Sequence, residues 1–321
     1  MWALRLRMYL LTALLFAIIY AAISVISYSL GISNFSFYLI LSFVMMFIQY
    51  MLGPTIVDWS MRVKYLKPGE YPELQTMVRE LATIANIPVP RVGISQVSVP
   101  NAFAFGRTVK DSRICVTEGI VGLLDQKELR AVIGHEMSHI KNRDVLTITL
   151  LSVIPMILYR IAWQFLFFGG DRRDRNQGNA ALVGMLAFAF YFLTNLLVLY
   201  ASRVREYFAD KGSVDLGNDP SQLASALYKL VYGSARAPRE AIKDIEGMKA
   251  FFANDPSRAS QELKDLRSLD LDKSGSISKS ELMAIQDRPV KLGFGDKLME
   301  LFSTHPNMLK RIKRLSEWGA N

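Results

Sequence analysis

The chain has 321 residues, is 51% hydrophobic and only 21% charged, and its mean hydropathy is +0.19, which is too apolar for one large or two ordinary soluble domains. With 38 Lys and Arg against 29 Asp and Glu the formal charge is +9, and alongside so much apolar sequence that excess fits an anionic membrane surface, with no nucleic-acid partner expected. The single cysteine, Cys115, excludes an internal disulfide and a cysteine-clustered zinc site. Any metal must rest on His, Asp or Glu, and the histidines are His135, His139 and His305.

In chain order, Met8 to Val57 carries no Asp, Glu, Lys or Arg. Broken near Gly31-Ile32-Ser33-Asn34, residues 1–57 predict two membrane-spanning helices in a tight hairpin, each about the 20 residues that a bilayer core of about 30 Å requires. Residues 145–202 predict a second hairpin, with a third span from Val145 to Gly170 and a fourth from about Ala180 to Ser202. Arg160 alone interrupts the third; a charge inside a span is costly, but a long arginine side chain can snorkel to the interface. Arg5, Arg7, Arg62, Lys64, Lys67, Lys141, Arg143, Arg203 and Arg205 flank one side of these spans, against Arg172, Arg173 and Arg175 on the other. That bias predicts a multi-pass protein of the cell membrane with both termini and its polar blocks cytoplasmic, and Trp59 and Trp163 stand near span ends, where aromatic belts form.

The polar blocks, 58–144 and 203–321, can form one α+β domain with the second hairpin inserted in it. Tyr71 to Asn86 has helical spacing, with Leu74, Met77, Val78 and Leu81 on one face. Short β-rich runs follow at Arg91–Ser95, Ala102–Phe105 and Arg113–Thr117, the last making Cys115 a buried strand residue.

Gln126 to Asn142 then reads as a helix containing His135-Glu136-Met137-Ser138-His139. Positions i and i+4 share a helix face, so the two imidazoles can bind one Zn²⁺ while Glu136 reaches water on that metal as general base. Such a site needs a third protein ligand. Glu206, just beyond the fourth span, is the candidate, and Asp210, four residues on along the same face, can accept a hydrogen bond from a ligating imidazole.

His-Glu-Met-Ser-His-Ile at 135–140, Arg-Glu-Tyr-Phe-Ala-Asp at 205–210, Asn-Ala-Phe-Ala at 101–104 and Ser-Thr-His-Pro at 303–306 together resemble the HtpX family of membrane zinc metalloproteases over nearly the whole chain. The resemblance implies a gluzincin-type endopeptidase, four transmembrane helices beside a mixed α+β zincin domain, acting on membrane or misfolded polypeptides in stress-linked quality control. It implies His135, His139 and Glu206 as zinc ligands and Glu136 as catalytic base. It further implies His305 as a group that swings toward the metal or donates to an oxyanion, and Asn101 and Ala102 as part of an edge strand that holds extended substrate; alone, those two residues read as a turn entering a strand.

One segment lies outside the family pattern. Asp270, Asp272, Ser274, Gly275, Ser276, Ser278 and Glu281 fall at positions 1, 3, 5, 6, 7, 9 and 12 of an EF-hand calcium loop, which predicts weak Ca²⁺ binding at about 10⁻⁵ to 10⁻³ M. Lying between Glu206 and His305 in sequence, the loop can be expected to position the His305 segment. Two rival functions follow: cleavage of a prenylated C-terminal peptide, as in related CAAX proteases, for which four spans are too few to enclose the chamber, and a calcium-responsive membrane adaptor with a structural zinc site, in which Glu136 has no use.

Overall fold

The first described helix, α1 (Phe35–Ser60), contains Pro54 and, next to its last residue, Trp59, which is 83% exposed. The computed structural model describes residues 35–167, 177–245, 252, 256, 258–286 and 293–319. The first expected span and both connections between paired spans lie outside these residues. Strand β1 (Val63–Tyr65), which the sequence reading missed, is a three-residue strand too short to show a period.

Helix α2 (Pro72–Ala85) starts with Pro at its first turn, where the missing N–H costs nothing, and ends at Asn86 in the left-handed conformation. After it come β2 (Arg91–Ser95), β3 (Ala102–Gly106), a 3₁₀ turn at Val109–Asp111 and β4 (Ser112–Thr117), in a sheet of order β1-β2-β4-β3. β2 and β4 are parallel, with Gly93 opposite Cys115, while β1 and β3 are antiparallel to their neighbours. β3 is therefore an edge. Alternation along β4 sends Ile114 and Val116 into the main core and Cys115 to the other face, against Phe103, Phe105 and Met61.

A short α3 (Glu118–Val121) leads to α4 (Gln126–Lys141), whose start is fixed by a reciprocal capping box between Asp125 and Glu128. Helices α5 (Asp144–Phe167) and α6 (Gln177–Asp215) follow. They pack antiparallel along their apolar lengths, Leu151 clustering with Val198 and Ala162 with Val183 and Ala187. The remainder is helical: α7 (Pro220–Arg236), α8 (Arg239–Asp244), α9 (Ala259–Leu266), α10 (Lys279–Ile285), α11 (Phe294–Leu301) and α12 (Met308–Trp318). Leu227 and Val231 of α7, Leu266, Ile285 and Ile312 close the main core around α2 and α4.

The chain divides into two compact units, 1–52 with 146–204 and 53–145 with 205–321. The fold is thus mixed α+β, mostly helical with one small sheet. Among the described residues one helical segment is long and apolar enough to cross a bilayer, Ala181–Asp215, whose apolar window has a mean hydropathy of 2.2 and is 28% buried.

Candidate metal centre

Three donors converge in the second unit. Helical spacing stacks His135 and His139 of α4 so that their Nε2 atoms are 3.1 Å apart. Glu206 of α6 bridges them, Oε2 standing 3.5 Å from His135 Nε2 and Oε1 3.4 Å from His139 Nε2. Four tetrahedral bonds of 2.0–2.1 Å would separate their donors by about 3.3–3.4 Å, so the spacing suits Zn²⁺.

The close approach of α6 to α4 has a local cause. A Cβ on Gly212 would run into the Ser138 side chain, and one on Gly134 into Asn218 and Ser213. Across the same contact, Ser213 Oγ donates to Ala131 O at 2.6 Å, and Arg130 donates to Asn218 Oδ1 at 2.7 Å. Glycine at both crossing points brings Glu206 within reach of the histidines.

The outer imidazole nitrogens fix the tautomers. His139 Nδ1 donates to Asp144 Oδ2 at 2.6 Å, and His135 Nδ1 lies 2.9 Å from Asp210 Oδ1. With both Nδ1 protons committed to carboxylates, both Nε2 atoms present lone pairs to one point. Glu206 Oε2 is also buried there without a hydrogen bond. Facing lone pairs, and a buried carboxylate oxygen that accepts no hydrogen bond and has only the Arg311 guanidinium as an ion-pair partner, are what a cation would satisfy, so these residues fit zinc.

Electrostatics point the same way. Burial disfavours a charged ring, yet the hydrogen bonds to Asp144 and Glu206 outweigh it and push the His139 pKa up to about 10. His135 is raised in the same manner, by Asp210 and then Glu206. A field that holds protons on imidazoles is a field that attracts a cation. Behind the carboxylates stand arginines: Arg205 Nε is 3.0 Å from Asp144 Oδ1, and Arg311 forks onto Asp210, Nη2 to Oδ1 at 2.6 Å and Nε to Oδ2 at 2.9 Å.

Glu136 is buried beside the cluster. Burial raises its carboxyl pKa, partly offset by His139 and His135, and the Ala104 N–H of β3 donates to it. Backbone groups alternate across a strand, so Ala102 turns its main chain to the same outer edge as Ala104. Asn101, next to Ala102, turns its main chain toward β4: its N–H donates to Thr117 Oγ1 at 2.8 Å, its C=O accepts from Thr117 N at 2.9 Å, and it is fully buried. His305 is buried, its Nδ1 3.0 Å from Thr304 Oγ1, within electrostatic reach of Glu206. The sequence reading thus missed Ala104, Asp144, Arg205 and Arg311. Only Asp144 left a signal, five residues beyond His139 at the start of an apolar helix.

Residues 68–319 match the sequence pattern of Peptidase family M48. The chain belongs to this peptidase family. M48 relatives include "Protease HtpX homolog" of Methanothermobacter thermautotrophicus, 51% identical over 230 residues, covering 72% of this chain and 86% of the relative. A protein of the same name from Moorella thermoacetica is 33% identical over 311 residues, 95% of this chain and 91% of the relative. The HtpX resemblance read from the motifs therefore holds. The crystal structure of S. mikatae Ste24p shares the M48 fold with a TM-score of 0.51 at 15% identity, over 98% of this chain and 66% of that one, just under two thirds of its length.

The second cluster of candidate donors is the 270–281 loop, where carboxylate oxygens of Asp270, Asp272 and Glu281 come within 4.8 Å of one another. Gly275 turns the loop at φ +80°. Asp270 accepts from Ser274 N, Gly275 N and Tyr228 Oη, and Asp272 from Ser274 N. Glu281 accepts from Leu271 N, Asp272 N and Ser278 N. Ser274 and Ser276 pair through their hydroxyls, and Ser278 caps α10. The loop reaches the helix of the two histidines through α7: Ile277 N donates to Ser225 Oγ, which donates to Glu128 in the first turn of α4.

Proposed function

We propose that the chain is a multi-pass membrane zinc endopeptidase that cleaves membrane or misfolded polypeptides from the cytoplasmic side as part of stress-linked quality control. The observation that carries this is the convergence of His135 Nε2, His139 Nε2 and Glu206, with buried Glu136 beside them, in an M48 chain. Bound at these donors, Zn²⁺ supplies Lewis acidity to the attacking water and the scissile carbonyl. Glu136, its pKa raised, takes the proton from water and returns it to the leaving amine, steered by the Ala104 N–H. His305 donates to the developing oxyanion. An extended polypeptide adds to the edge strand β3 at Ala102. The test is cleavage of an unfolded protein such as casein by the detergent-solubilised chain. Activity that a chelator removes and zinc restores supports the reading; metal-independent cleavage, or none with zinc bound, defeats it. A base buried at the centre favours this over the structural-zinc adaptor.

Four spans with both termini inside are part of the proposal. Support comes from the uncharged stretch from Met8 to Val57 and from Leu182, Met185, Phe188 and Phe192, all large apolar side chains exposed along α6. Cysteine labelling at Asn34 and Asn176 from outside checks it; an Asn176→Cys protein reachable only from the cytoplasm removes the second hairpin. Calcium at the 270–281 loop is the remaining proposal, supported by the twelve-residue spacing and the meeting of its carboxylates.

A further inference from the structure

We propose that Arg311 is a positioning residue of the metal centre, holding the Asp210–His135 pair and the Glu206 carboxylate in one arrangement and so setting how tightly the site binds its cation. The inference rests on the zinc reading above.

Arg311 is the largest fully buried side chain among the described residues, with 0% exposure. Its guanidinium meets three members of the centre at once: both oxygens of Asp210, Glu206 Oε2 at 3.2 Å through Nη1, and His135 Nδ1 at 3.4 Å from Nη2. A planar fork with donors on several edges can serve two carboxylates together, whereas a lysine ammonium is a single point of charge. Without that fork, Asp210 and Glu206 are buried like charges, each relieved by rotating away or taking up a proton. Rotation of Asp210 frees the His135 ring; rotation of Glu206 removes a ligand. The positive charge of Arg311 itself opposes a cation. Fully buried between two carboxylates that would otherwise repel, however, it does more by ordering the donors than by repelling the ion.

The centre is asymmetric in this respect. His139 also has a carboxylate, Asp144, and an arginine behind it, Arg205, but among the described residues Arg205 pairs with Asp144 and not with a ligand. Arg311 is the arginine that joins an outer carboxylate to a ligand. It lies one turn into α12, six residues after His305, and Asn307 caps that helix by accepting from Leu309 N at 2.9 Å. The grip of Arg311 therefore also fixes where the His305 segment stands.

The test uses the full chain in detergent, stripped of metal and reloaded with Zn²⁺ or Co²⁺. Zinc affinity is read by chelator competition and donor geometry by the cobalt absorption spectrum. Arg311→Lys should weaken zinc binding by about 10–100-fold and change the cobalt spectrum, in protein that still unfolds cooperatively. The pair Asp210→Asn with Arg311→Met removes a buried charge together with its partner, so it stays informative if Arg311→Lys does not fold. That pair should bind zinc more weakly than Asp210→Asn alone, because Glu206 has lost its guanidinium as well. Wild-type affinity and spectrum in Arg311→Lys, or a pair no weaker than Asp210→Asn, overturns the inference. Failure of the unaltered chain to bind zinc sinks the zinc reading itself; normal binding by the unaltered chain and by the Arg311 variants sinks this inference alone.

Discussion

Glu206 Oε2 lies buried without a hydrogen bond, whereas each carboxylate of the 270–281 loop accepts main-chain N–H groups from its own loop. The two clusters offer similar donors and differ in what surrounds them. His135, His139 and Glu206 come from α4 and α6 and are oriented from outside by Asp144, Asp210 and their arginines. Their inward atoms are left facing one another. Asp270, Asp272 and Glu281 come from one short stretch and fold onto its amides, as Asx turns and a capping box do. A cation at the first cluster completes it. At the second a cation would have to displace hydrogen bonds worth about 0.5–1.5 kcal/mol each, which is why the proposed calcium binding is expected to be weak.

The largest effect expected of any single change is at the base. Glu136→Gln keeps all three donors, so zinc content should stay stoichiometric while cleavage falls by at least about 10²–10⁴-fold. Metal analysis beside a casein assay decides it, and retained turnover removes Glu136 from the chemistry. Next comes the contrast between clusters. Glu206→Ala should lose zinc, because a three-ligand site loses one leg, while Glu281→Ala should retain it. A fully loaded Glu206→Ala protein would place the third ligand elsewhere.

The loop gives a smaller signal. Calorimetry on the full chain should show calcium binding at about 10⁻⁵ to 10⁻³ M, at least tenfold weaker in Glu281→Gln. No heat at millimolar calcium, and no change in proteolysis, makes the segment a helix-turn-helix insertion only. If calcium does act, its effect should pass through Ser225 and Glu128, and Ser225→Ala should uncouple binding from activity.

The smallest effect calibrates the buried carboxylates against one at the surface. Asp111 opposes burial with Arg107 and then Arg113, which hold its carboxyl pKa below the ordinary value. A depressed pKa stabilises above the ordinary value of about 4 and loses that contribution as pH falls through the folded one. Asp111→Asn should therefore cost about 0.2–1 kcal/mol at neutral pH, with melting curves that converge on the parent below about pH 4. A gap that persists in acid means that the loss is not the ion pairs.

Local patterns proved readable from the sequence wherever a short period carried them. Tyr71 to Asn86 appears as Pro72–Ala85 and Gln126 to Asn142 as Gln126–Lys141, each an amphipathic run with end signals, and the expected strands match β2, β3 and β4 within one residue. The third and fourth apolar stretches are helices, the last running on through Glu206 and Asp210 to Asp215. The 270–281 loop contacts α7 through Ser225 and Tyr228, and α10, which follows the loop, meets the helix that follows His305 through the Lys313 bond to Ile285 O.

By itself the sequence determined what repeats over a helical turn or a fixed loop: His135 with His139, Glu206 with Asp210, and the spacing from Asp270 to Glu281. The tertiary structure alone decided which ordinary residues complete the centre. Arg311 meets His135 across 176 positions, and Ser225 meets Glu128 across 97. In sequence, Arg311 is one of several basic residues on an amphipathic helix, and Gly212 a lone glycine inside another. A buried charge must find its partner wherever the chain brings one, and two helices can approach as closely as α4 and α6 do only where a Cβ is absent at the crossing. Both conditions depend on packing between distant segments, which no local period encodes.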